Sequence, residues 1–324
     1  MSELDTKYMA LELKSPLIVS SSPLTASIEN LKKCQDYGAG AVVLKSIFEE
    51  QIEKDAERDA SALDTLDHND NYEYFTSLTK DYYIEKYAKL IKDAKNALDI
   101  PVIASINCSR MDSWIEYAER FIASGADAIE LNYFPVASDS SISGEKVDKA
   151  LFSFAEKARK SISCPLSIKL SSNYSSLSYI TRRLDELSID SLVFFNRAFR
   201  PDIDLDTLSF RAQNNLSEDN EYSNALRWIA LMSAEVSLDF AANTGIHDAD
   251  TAVKMLLAGA KAVEICSVII KEGFASITRI NEGIKSFMKE KGYANISEFT
   301  GLLAQENHAE GYNWERVQFL KTIR

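Results

Sequence analysis

The sequence is poor in the residues that build metal sites and disulfide frameworks. Its 324 residues include three histidines, six prolines and eleven glycines. The four cysteines, Cys34, Cys108, Cys164 and Cys266, are far apart along the chain. No spacing matches a zinc motif or a set of paired disulfides, so we expect no bound metal. Reduced thiols and a cytoplasmic location are the simplest interpretation.

Long apolar runs are also missing. No run approaches the roughly 20 residues of a membrane span, and residues 1–14 lack the basic start and apolar core of a secretory signal. The net charge of −13 comes from 49 acidic and 36 basic residues that are interspersed along the chain. This balance argues against a nucleic-acid or anionic membrane surface. The 46% of hydrophobic residues is ample for a packed core.

Apolar runs alternate with helical periods eight times along the chain. The runs that predict strands cover about 15–20, 38–46, 100–106, 125–132, 164–170, 189–196, 236–242 and 262–266. Proline opens the first, third and fifth strands, and Gly-Ala precedes the second, fourth and eighth. This two-step rhythm is typical of a (β/α)8 TIM barrel, in which odd and even strands supply alternate interior layers. A doubly wound open sheet is the alternative, but its Gly-x-Gly-x-x-Gly fingerprint is absent.

We therefore predict a single α/β barrel domain over residues 1–324, with a helical tail from about residue 292. Long loops are expected after strands two, four and six, at about 47–81, 133–144 and 197–220. The first of these is polar and acidic without a sustained period, which we interpret as loop with short helical pieces. Because the loops after the strands build the active face of a barrel, these three would roof one side of its mouth.

Polar or small residues stand at the predicted carboxyl ends of the strands. They are Ser20, Ser21, Lys45, Ser46, Asn107, Asn132, Lys169, Asn196, Thr244, Gly245, Cys266 and Ser267. The carboxyl ends of barrel strands meet at one face, so these residues should converge. Two lysines there suit an anionic ligand, a developing negative charge or a Schiff base, although a strand-end lysine can simply extend into water. The two asparagines after apolar runs suit the polar edge of a planar ring, or ordinary turns.

Two of these places are turns from a strand into a helix. Thr244-Gly245 follows the seventh apolar run and precedes Asp248, a helix-capping residue, while Cys266-Ser267 follows the eighth run. Such turns expose backbone N–H groups and the positive end of a helix dipole, which suit a phosphate. In eight-fold barrels the phosphate site commonly follows strands seven and eight. An ordinary turn and helix cap is the alternative.

Taken together, these motifs resemble the dihydroorotate dehydrogenase family of FMN-containing barrels. The likeness runs from about Ser15 to Leu303 and is carried by Leu44-Lys45-Ser46, Glu130-Leu131-Asn132, Ile168-Lys169-Leu170 and the block from Asn243 to Gly273. The sequence is most similar to the class 1 type and to a branch described as dihydroorotate dehydrogenase-like. The resemblance implies an FMN-dependent oxidation of dihydroorotate to orotate in pyrimidine biosynthesis.

The resemblance also implies roles for individual residues. Flavin contacts would come from Ser20, Ser21, Lys45, Ser46, Asn107, Asn132, Lys169 and Asn196, and phosphate contacts from Thr244, Gly245, Cys266 and Ser267. Substrate contacts would come from Lys45, Asn132, Asn196 and Arg197. Lys169 would lie near the N1/O2 edge of the flavin, where a cation stabilises the reduced, anionic ring.

The chain departs from the family pattern in the half of the site that handles the substrate proton. After the strand-four asparagine the class 1 enzymes continue Leu-Ser-Cys-Pro-Asn, and that cysteine takes the proton. Pro135 stands at the cysteine position here and cannot take a proton. The family's Asn-x-x-Gly-Leu-Pro-Asn loop after strand two has no counterpart near residues 68–77. The candidates for a replacement base are Tyr133, Ser138, Asp139 and Cys108.

Two other functions remain open at this point. One is a phosphate-binding barrel lyase that uses Lys45 or Lys169 as a Schiff-base amine. The other is a flavin-binding protein that does not turn over dihydroorotate. For the leading oxidoreductase hypothesis we expect a small, planar, anionic substrate, no nucleic-acid partner and no membrane, and family analogy suggests a homodimer.

Overall fold

The computed structural model describes residues 3–61, 68–107, 113–197, 200–212, 216–307 and 314–315. Its strands are β1 (Thr6–Tyr8), β2 (Leu11–Leu13), β3 (Leu17–Val19), β4 (Ala41–Val43), β5 (Ile47–Phe48), β6 (Val102–Asn107), β7 (Ala128–Asn132), β8 (Leu166–Leu170), β9 (Ser191–Phe194), β10 (Pro201–Asp204), β11 (Ser209–Ala212), β12 (Asp239–Ala242) and β13 (Ala262–Ile265). Its helices are α1 (Ile28–Asp36), α2 (Glu49–Ser61), α3 (His68–Ala97), α4 (Ser113–Ala123), α5 (Gly144–Ser161), α6 (Leu177–Glu186), α7 (Ser223–Met232), α8 (Ala249–Ala258), α9 (Ser267–Glu272) and α10 (Ala275–Lys291).

Within the described residues, β3, β4, β6, β7, β8, β9, β12 and β13 form a closed parallel barrel. Each strand pairs in parallel with the next, and the ring closes where Val263 of β13 lies opposite Leu17 of β3. Between β4 and β6, Val42 lies opposite Val102. The short β5 extends the sheet at the carboxyl end of β6. The predicted (β/α)8 barrel is therefore confirmed.

The barrel strands are continuous apolar runs because both of their faces are covered. Alternate residues point outward against the helices, and those between them point into the barrel. The interior layer nearest the amino-terminal end is apolar and includes Ile18, Val43, Ile103, Ala128, Val193, Ala241 and Ala262. Two residues further along the strands the interior becomes polar: Ser105, Glu130 and Glu264 are all buried. The polar layer therefore lies towards the carboxyl ends, where the pocket opens.

A hairpin that the sequence pattern did not reveal closes the amino-terminal end of the barrel. Strands β1 and β2 pair antiparallel around a two-residue turn, Met9-Ala10, with φ values of 50° and 60°. Such left-handed turns match the twist of a hairpin. Tyr8, Met9 and Leu13 pack on the apolar interior layer. Ser191 Oγ donates a 2.7 Å hydrogen bond to Tyr8 Oη, so the hairpin is tied to the barrel interior.

The prediction of a long loop after the second barrel strand is wrong, because the described part of this connection is mainly helical. It contains the 13-residue α2 and the 30-residue α3, which pack on each other. The segment has few apolar residues, so it shows little periodicity. It is nevertheless rich in glutamate, lysine, alanine and other residues with high helix propensity. Propensity and tertiary packing, rather than a broad apolar face, form these helices.

The other two predicted loops differ from each other. Residues 133–143 after β7 contain no regular element. The connection after β9 carries the β10–β11 hairpin, with Ile203 opposite Phe210. In the tail, residues 296–298 and 305–307 form short 3-10 helices, and residues 308–313 and 316–324 lie outside the described part.

Gly40, at the start of β4, tests the close packing between barrel strands. A Cβ at this position would lie 1.9 Å from the carbonyl oxygen of Ser15. We expect Gly40→Ala to lower the free energy of unfolding by about 1–3 kcal/mol because the backbone must shift. The matched control is Gly144→Ala, since a Cβ at Gly144 meets nothing within 4 Å. Urea unfolding of both variants measures the difference, and equal stability of the two would contradict the packing argument.

Candidate active site

One cavity of about 250 Å³ lies at the carboxyl ends of the barrel strands. Its lining contains most of the predicted site residues: Ser20, Ser21, Ser46, Asn132, Lys169, Asn196, Arg197, Thr244, Gly245, Cys266 and Ser267. Phe48, Ser217, Asn243, Ile246 and Glu264 complete the lining. The structure therefore brings together residues that lie more than two hundred positions apart in the sequence, such as Ser20 and Ser267.

Two of the residues predicted to contact the cofactor, Lys45 and Asn107, are not part of this lining. Lys45 is exposed and lines a different cavity of about 520 Å³, next to β5, α2 and α3. Asn107 is paired in the sheet, opposite Phe48 on one side and Asn132 on the other. Cys108 lies outside the described residues. The expected contact of Lys45 with the same pocket as Lys169 is thus absent from this arrangement.

The candidates for the catalytic base that the structure describes, Tyr133, Ser138 and Asp139, also lie outside the pocket lining. Tyr133 is half-buried with its ring 4.9 Å from that of Phe154, and burial raises the pKa of its hydroxyl. Ser138 and Asp139 are exposed. Asp139 Oδ1 accepts a 2.8 Å hydrogen bond from the backbone of Ser141, which lowers the pKa of its carboxyl group.

The floor of the pocket is a buried group of charges, which we call the floor cluster: Glu130, Lys169 and Glu264. Lys169 Nζ lies 2.6 Å from Glu264 Oε2 and 3.7 Å from Glu130 Oε1. It also lies 3.3 Å from Ser20 Oγ, and this hydroxyl donates a 3.0 Å hydrogen bond to Glu264. Sequence reasoning missed both glutamates. The available signal was an acidic residue inside an apolar strand, because such residues are rarely buried without a partner.

Electrostatics keep Lys169 protonated. Burial by itself would lower the pKa of Lys169, but the carboxyl groups of Glu130 and Glu264 outweigh burial and raise it. Burial, together with the negative charge of Glu264, raises the pKa of Glu130 well above its usual range. A Schiff-base amine must lose its proton to attack a carbonyl. The surroundings of Lys169 therefore disfavour its use as the Schiff-base amine of a lyase.

The two predicted asparagines meet across the pocket. Asn196 Nδ2 donates a hydrogen bond to Asn132 Oδ1. With this amide assignment, Asn132 Nδ2 and Asn196 Oδ1 have no partner among the described residues and both side chains line the pocket. A donor and an acceptor side by side match the alternating N–H and C=O groups at the edge of a cyclic imide.

Hydroxyl groups hold the end of β4 against its neighbours. Ser21 Oγ accepts a 2.8 Å hydrogen bond from Ser46 N, and Ser46 Oγ lies 2.7 Å from Ser105 Oγ. Ser105 N in turn donates a 2.9 Å hydrogen bond to Tyr87 Oη of α3. The side of the pocket formed by Ser21 and Ser46 is therefore fixed by bonds from three strands and a helix.

The turn after β12 has an unusual backbone. Thr244 and Gly245 both have a φ of 76°, a left-handed conformation that is unfavourable for a β-branched residue. Thr244 Oγ1 donates a 3.1 Å hydrogen bond to the carbonyl oxygen of Phe195, and Asn243 Oδ1 accepts one of 2.8 Å from Thr244 N. A Cβ on Gly245 would lie 2.4 Å from Tyr222 N. Glycine is therefore required here by the approach of another segment as well as by φ.

The turn after β13 begins α9 at Ser267. Ser267 Oγ accepts a 2.9 Å hydrogen bond from Ser217 N, and Ser217 Oγ lies 3.0 Å from His247 Nε2. Lys271 Nζ donates a 2.8 Å hydrogen bond to the carbonyl oxygen of Ser217. Arg197, which is also in the lining, forms a two-point ion pair with Glu221, at 2.9 and 3.2 Å. Cationic side chains therefore stand at the rim as well as at the floor.

The described residues lack two features, a membrane-spanning helix and a metal site. No helix in that part is both long and apolar enough to cross a bilayer. No group of three or more histidine, cysteine or acidic side chains in the same part is arranged to hold a metal ion.

The fold and the pocket define a barrel enzyme with its site at the carboxyl ends of the strands. The family model described as dihydroorotate dehydrogenase matches residues 3–288. The chain therefore belongs to the dihydroorotate dehydrogenase family.

Three relatives are each named dihydroorotate dehydrogenase B (NAD+), catalytic subunit. The protein of Thermoplasma acidophilum is 25% identical over 314 residues, which cover 93% of this chain and 99% of the relative. That of Pyrococcus abyssi is 25% identical over 315 residues, covering 92% and 98%. That of Methanosarcina mazei is 26% identical over 297 residues, covering 90% and 92%. The likeness therefore extends over nearly the whole length of each protein.

Members of this family are FMN-dependent oxidoreductases that act on CH–CH bonds, and this chain is one of that type. The groups that surround the pocket fit such a cofactor. Lys169 supplies a buried cation, Asn132 and Asn196 supply amide groups, and the turns after β12 and β13 lie where barrels bind phosphate. When bound, FMN supplies the site that accepts a hydride.

Thr244 allows backbone strain to be separated from hydrogen bonding. Thr244→Val keeps the strained φ and removes the hydroxyl, so we expect a loss of about 1 kcal/mol in the free energy of unfolding. Thr244→Gly also removes the hydroxyl but relieves the left-handed strain, so it should be about 1 kcal/mol more stable than Thr244→Val. Urea unfolding measures both variants. A glycine variant less stable than the valine variant would rule out strain at this turn.

Proposed function

We propose that this chain oxidises dihydroorotate, or a closely similar small, planar, anionic molecule, in the pocket at the carboxyl ends of the barrel strands. The single observation that carries the proposal is the convergence of Asn132, Asn196 and Lys169 with the turns after β12 and β13 around one cavity. A cyclic imide with a carboxylate needs amide partners for its edge and a cation for its charge.

The proposed division of labour follows from these positions. Asn132 and Asn196 would orient the ring through their remaining donor and acceptor groups. Arg197, held at the rim by Glu221, would attract the carboxylate of the substrate. The turns at Thr244-Gly245 and Ser267 would hold the phosphate of FMN. We assign these roles by the chemistry of the groups and by the family likeness.

Three described residues are candidates for the proton acceptor: Tyr133, Ser138 and Asp139. Tyr133 is the described candidate that we favour, because it follows Asn132 directly and is half-buried, whereas Ser138 and Asp139 face solvent. Its ring packs on Phe154 outside the pocket lining, so it must turn towards the pocket to take the proton. Burial raises the pKa of Tyr133, so its phenolate becomes available only in alkaline solution. A reaction that used Tyr133 as its base would accelerate with increasing pH.

The first experiment is a visible spectrum of the purified protein, followed by anaerobic addition of dihydroorotate. We expect the absorption of oxidised flavin, and bleaching whose rate increases between pH 7 and pH 10. Tyr133→Phe should slow the bleaching by about 10²-fold or more, whereas the control Tyr179→Phe, at an exposed site on α6, should not. NAD+, which the names of the relatives contain, is the first oxidant to test for recovery of the colour.

Three results would change this proposal. A colourless protein that FMN cannot reconstitute would overturn it. A yellow protein that dihydroorotate cannot bleach at any pH would favour a flavin protein with a different substrate. A pH-dependent bleaching that Tyr133→Phe leaves unchanged would remove Tyr133 from the mechanism and leave the rest intact.

We also propose that the chain forms a homodimer through the β10–β11 hairpin. Ile203, Leu205, Leu208 and Phe210 are exposed on this hairpin, and Phe210 is 89% exposed. Four large apolar side chains on one projecting element are typical of an interface. A second copy of the chain presents the same surface, which suits a two-fold symmetric contact.

The dimer proposal is tested by light scattering during gel filtration. We expect the wild-type protein to have twice the mass of the chain, and Leu208→Ser/Phe210→Ser to have the mass of a single chain. Leu302→Ser is the control, because Leu302 is exposed elsewhere on the surface. A wild-type protein that stays monomeric at high concentration would contradict the proposal.

Two coarser expectations complete the proposal. We propose one barrel domain for the whole chain. The proposal is supported by the pairing of β3 with β13, which are the first and the last barrel strands along the chain. We also propose a cytoplasmic location. It is supported by Cys34, Cys164 and Cys266, the described cysteines, all of which are free thiols.

A further inference from the structure

The floor cluster contains two carboxyl groups and one ammonium group in a nearly dry interior. Glu130 is 1% exposed, Glu264 is 2% exposed and Lys169 is 4% exposed. The described residues around it bring no second cation within ion-pair distance. If both carboxyl groups were ionised, the cluster would carry a net negative charge with very little exposure to solvent, which is costly.

The hydrogen bonds of the two glutamates are unequal. Glu264 Oε2 accepts bonds from Lys169 Nζ at 2.6 Å and from Ser20 Oγ at 3.0 Å. Glu130 Oε1 is buried without a hydrogen-bond partner among the described residues, and its distance of 3.7 Å to Lys169 is long for a hydrogen bond. Glu264 thus has the surroundings of a carboxylate, whereas Glu130 has those of a neutral carboxyl group.

From this geometry we propose that Glu130 and Glu264 share a single negative charge, which neutralises Lys169. Glu264 carries the charge in the wild-type protein, and Glu130 holds a proton. The two glutamates are positioning residues in this scheme, because they act on the pocket through Lys169.

The other titratable groups near the floor cluster add no further charge to it. Tyr8 of the hairpin, Tyr87 of α3 and Cys266 after β13 are those that face the floor cluster from the described elements. Burial raises the pKa of each of them, so all three are neutral near pH 7. Burial and the charge of Glu264 likewise raise the pKa of Glu130, in agreement with a proton on that residue.

The shared negative charge reduces how strongly Lys169 stabilises an anionic ligand. A lone buried ammonium would stabilise an anionic ring strongly, because the low-dielectric surroundings screen it little. A lysine already paired with a carboxylate stabilises the same ring less. We therefore infer that the two glutamates weaken the preference of this pocket for the reduced, anionic form of the flavin. This last step rests on the proposed function, whereas the charge arrangement itself does not.

The shared proton is tested by the stability of the apoprotein between pH 6 and pH 8. A native state that holds one proton more than the unfolded state loses stability as the pH rises from the unfolded carboxyl pKa towards the folded one. We therefore expect the unfolding constant of the wild type, relative to that of Glu130→Gln, to rise with pH, by up to about tenfold per pH unit. Glu264→Gln should behave like Glu130→Gln, because the remaining Glu130 then ionises beside Lys169.

The double variant and a surface control complete the experiment. Glu130→Gln/Glu264→Gln leaves Lys169 buried without a counter-charge, so at pH 6 it should unfold at least about tenfold more readily than either single variant. Glu145→Gln is the control. Glu145 is exposed and a hydrogen bond from Lys149 lowers its pKa, so this variant should parallel the wild type over the same pH range. Parallel pH curves for the wild type and both single variants would overturn the proposal, as would a double variant no less stable than the single ones.

A second measurement uses the holoprotein and sulfite. The sulfur lone pair of sulfite forms a bond to flavin N5 and leaves a negative charge at the N1/O2 edge, so its affinity reports positive charge beside that edge. At pH 6 we expect the double variant to bind sulfite about tenfold more tightly than the wild type, and each single variant to stay within about threefold. A double variant that binds sulfite like the wild type would overturn the inference about the flavin. A protein that binds no FMN would instead overturn the proposed function, and the unfolding experiment would still decide the charge arrangement.

Discussion

Closure of the parallel barrel is the constraint on which the site depends. Once β13 pairs with β3 and β4 pairs with β6, every barrel strand has a neighbour on both sides and all carboxyl ends face one way. The alternation of side chains then decides which residues enter the interior. Ala128, Glu130 and Asn132 of β7 follow one another along the inside, from the apolar layer to the pocket. The polar floor is therefore a direct consequence of register.

The polar layer gives this pocket a particular electrostatic character. Lys169 does not stand alone beneath the pocket, because Glu264 and Glu130 lie beside it in surroundings that exclude water. The seal at the opposite end of the barrel contributes to that exclusion, since Tyr8 fills the interior and accepts a hydrogen bond from Ser191. The unpredicted amino-terminal hairpin thus helps to bury Glu264 and Glu130 from the opposite end of the barrel.

The two halves of the site differ in how far they follow the family pattern. The part assigned to the flavin retains its lysine, its two asparagines and its small-residue turns, and these converge in one cavity. The part assigned to the substrate differs in two places. Pro135 is exposed at the position of the family's cysteine, and α3 begins at His68, where the family's substrate loop is expected. A barrel permits this division because different loops carry the two halves on a common set of strands.

Local patterns in the sequence are enough to predict the strand order, the class of fold and most of the pocket lining. Apolar runs, helical periods and glycines at turns are local signals, and in a barrel they also imply that strand ends meet. Local signals cannot say which of two strand-end lysines turns inward. Only the tertiary structure separates Lys169, held between two buried carboxyl groups, from Lys45, which is exposed beside a different cavity. The pairing of Lys169 with Glu264 joins residues 95 positions apart, and it exists only because barrel register brings both side chains into the same interior layer.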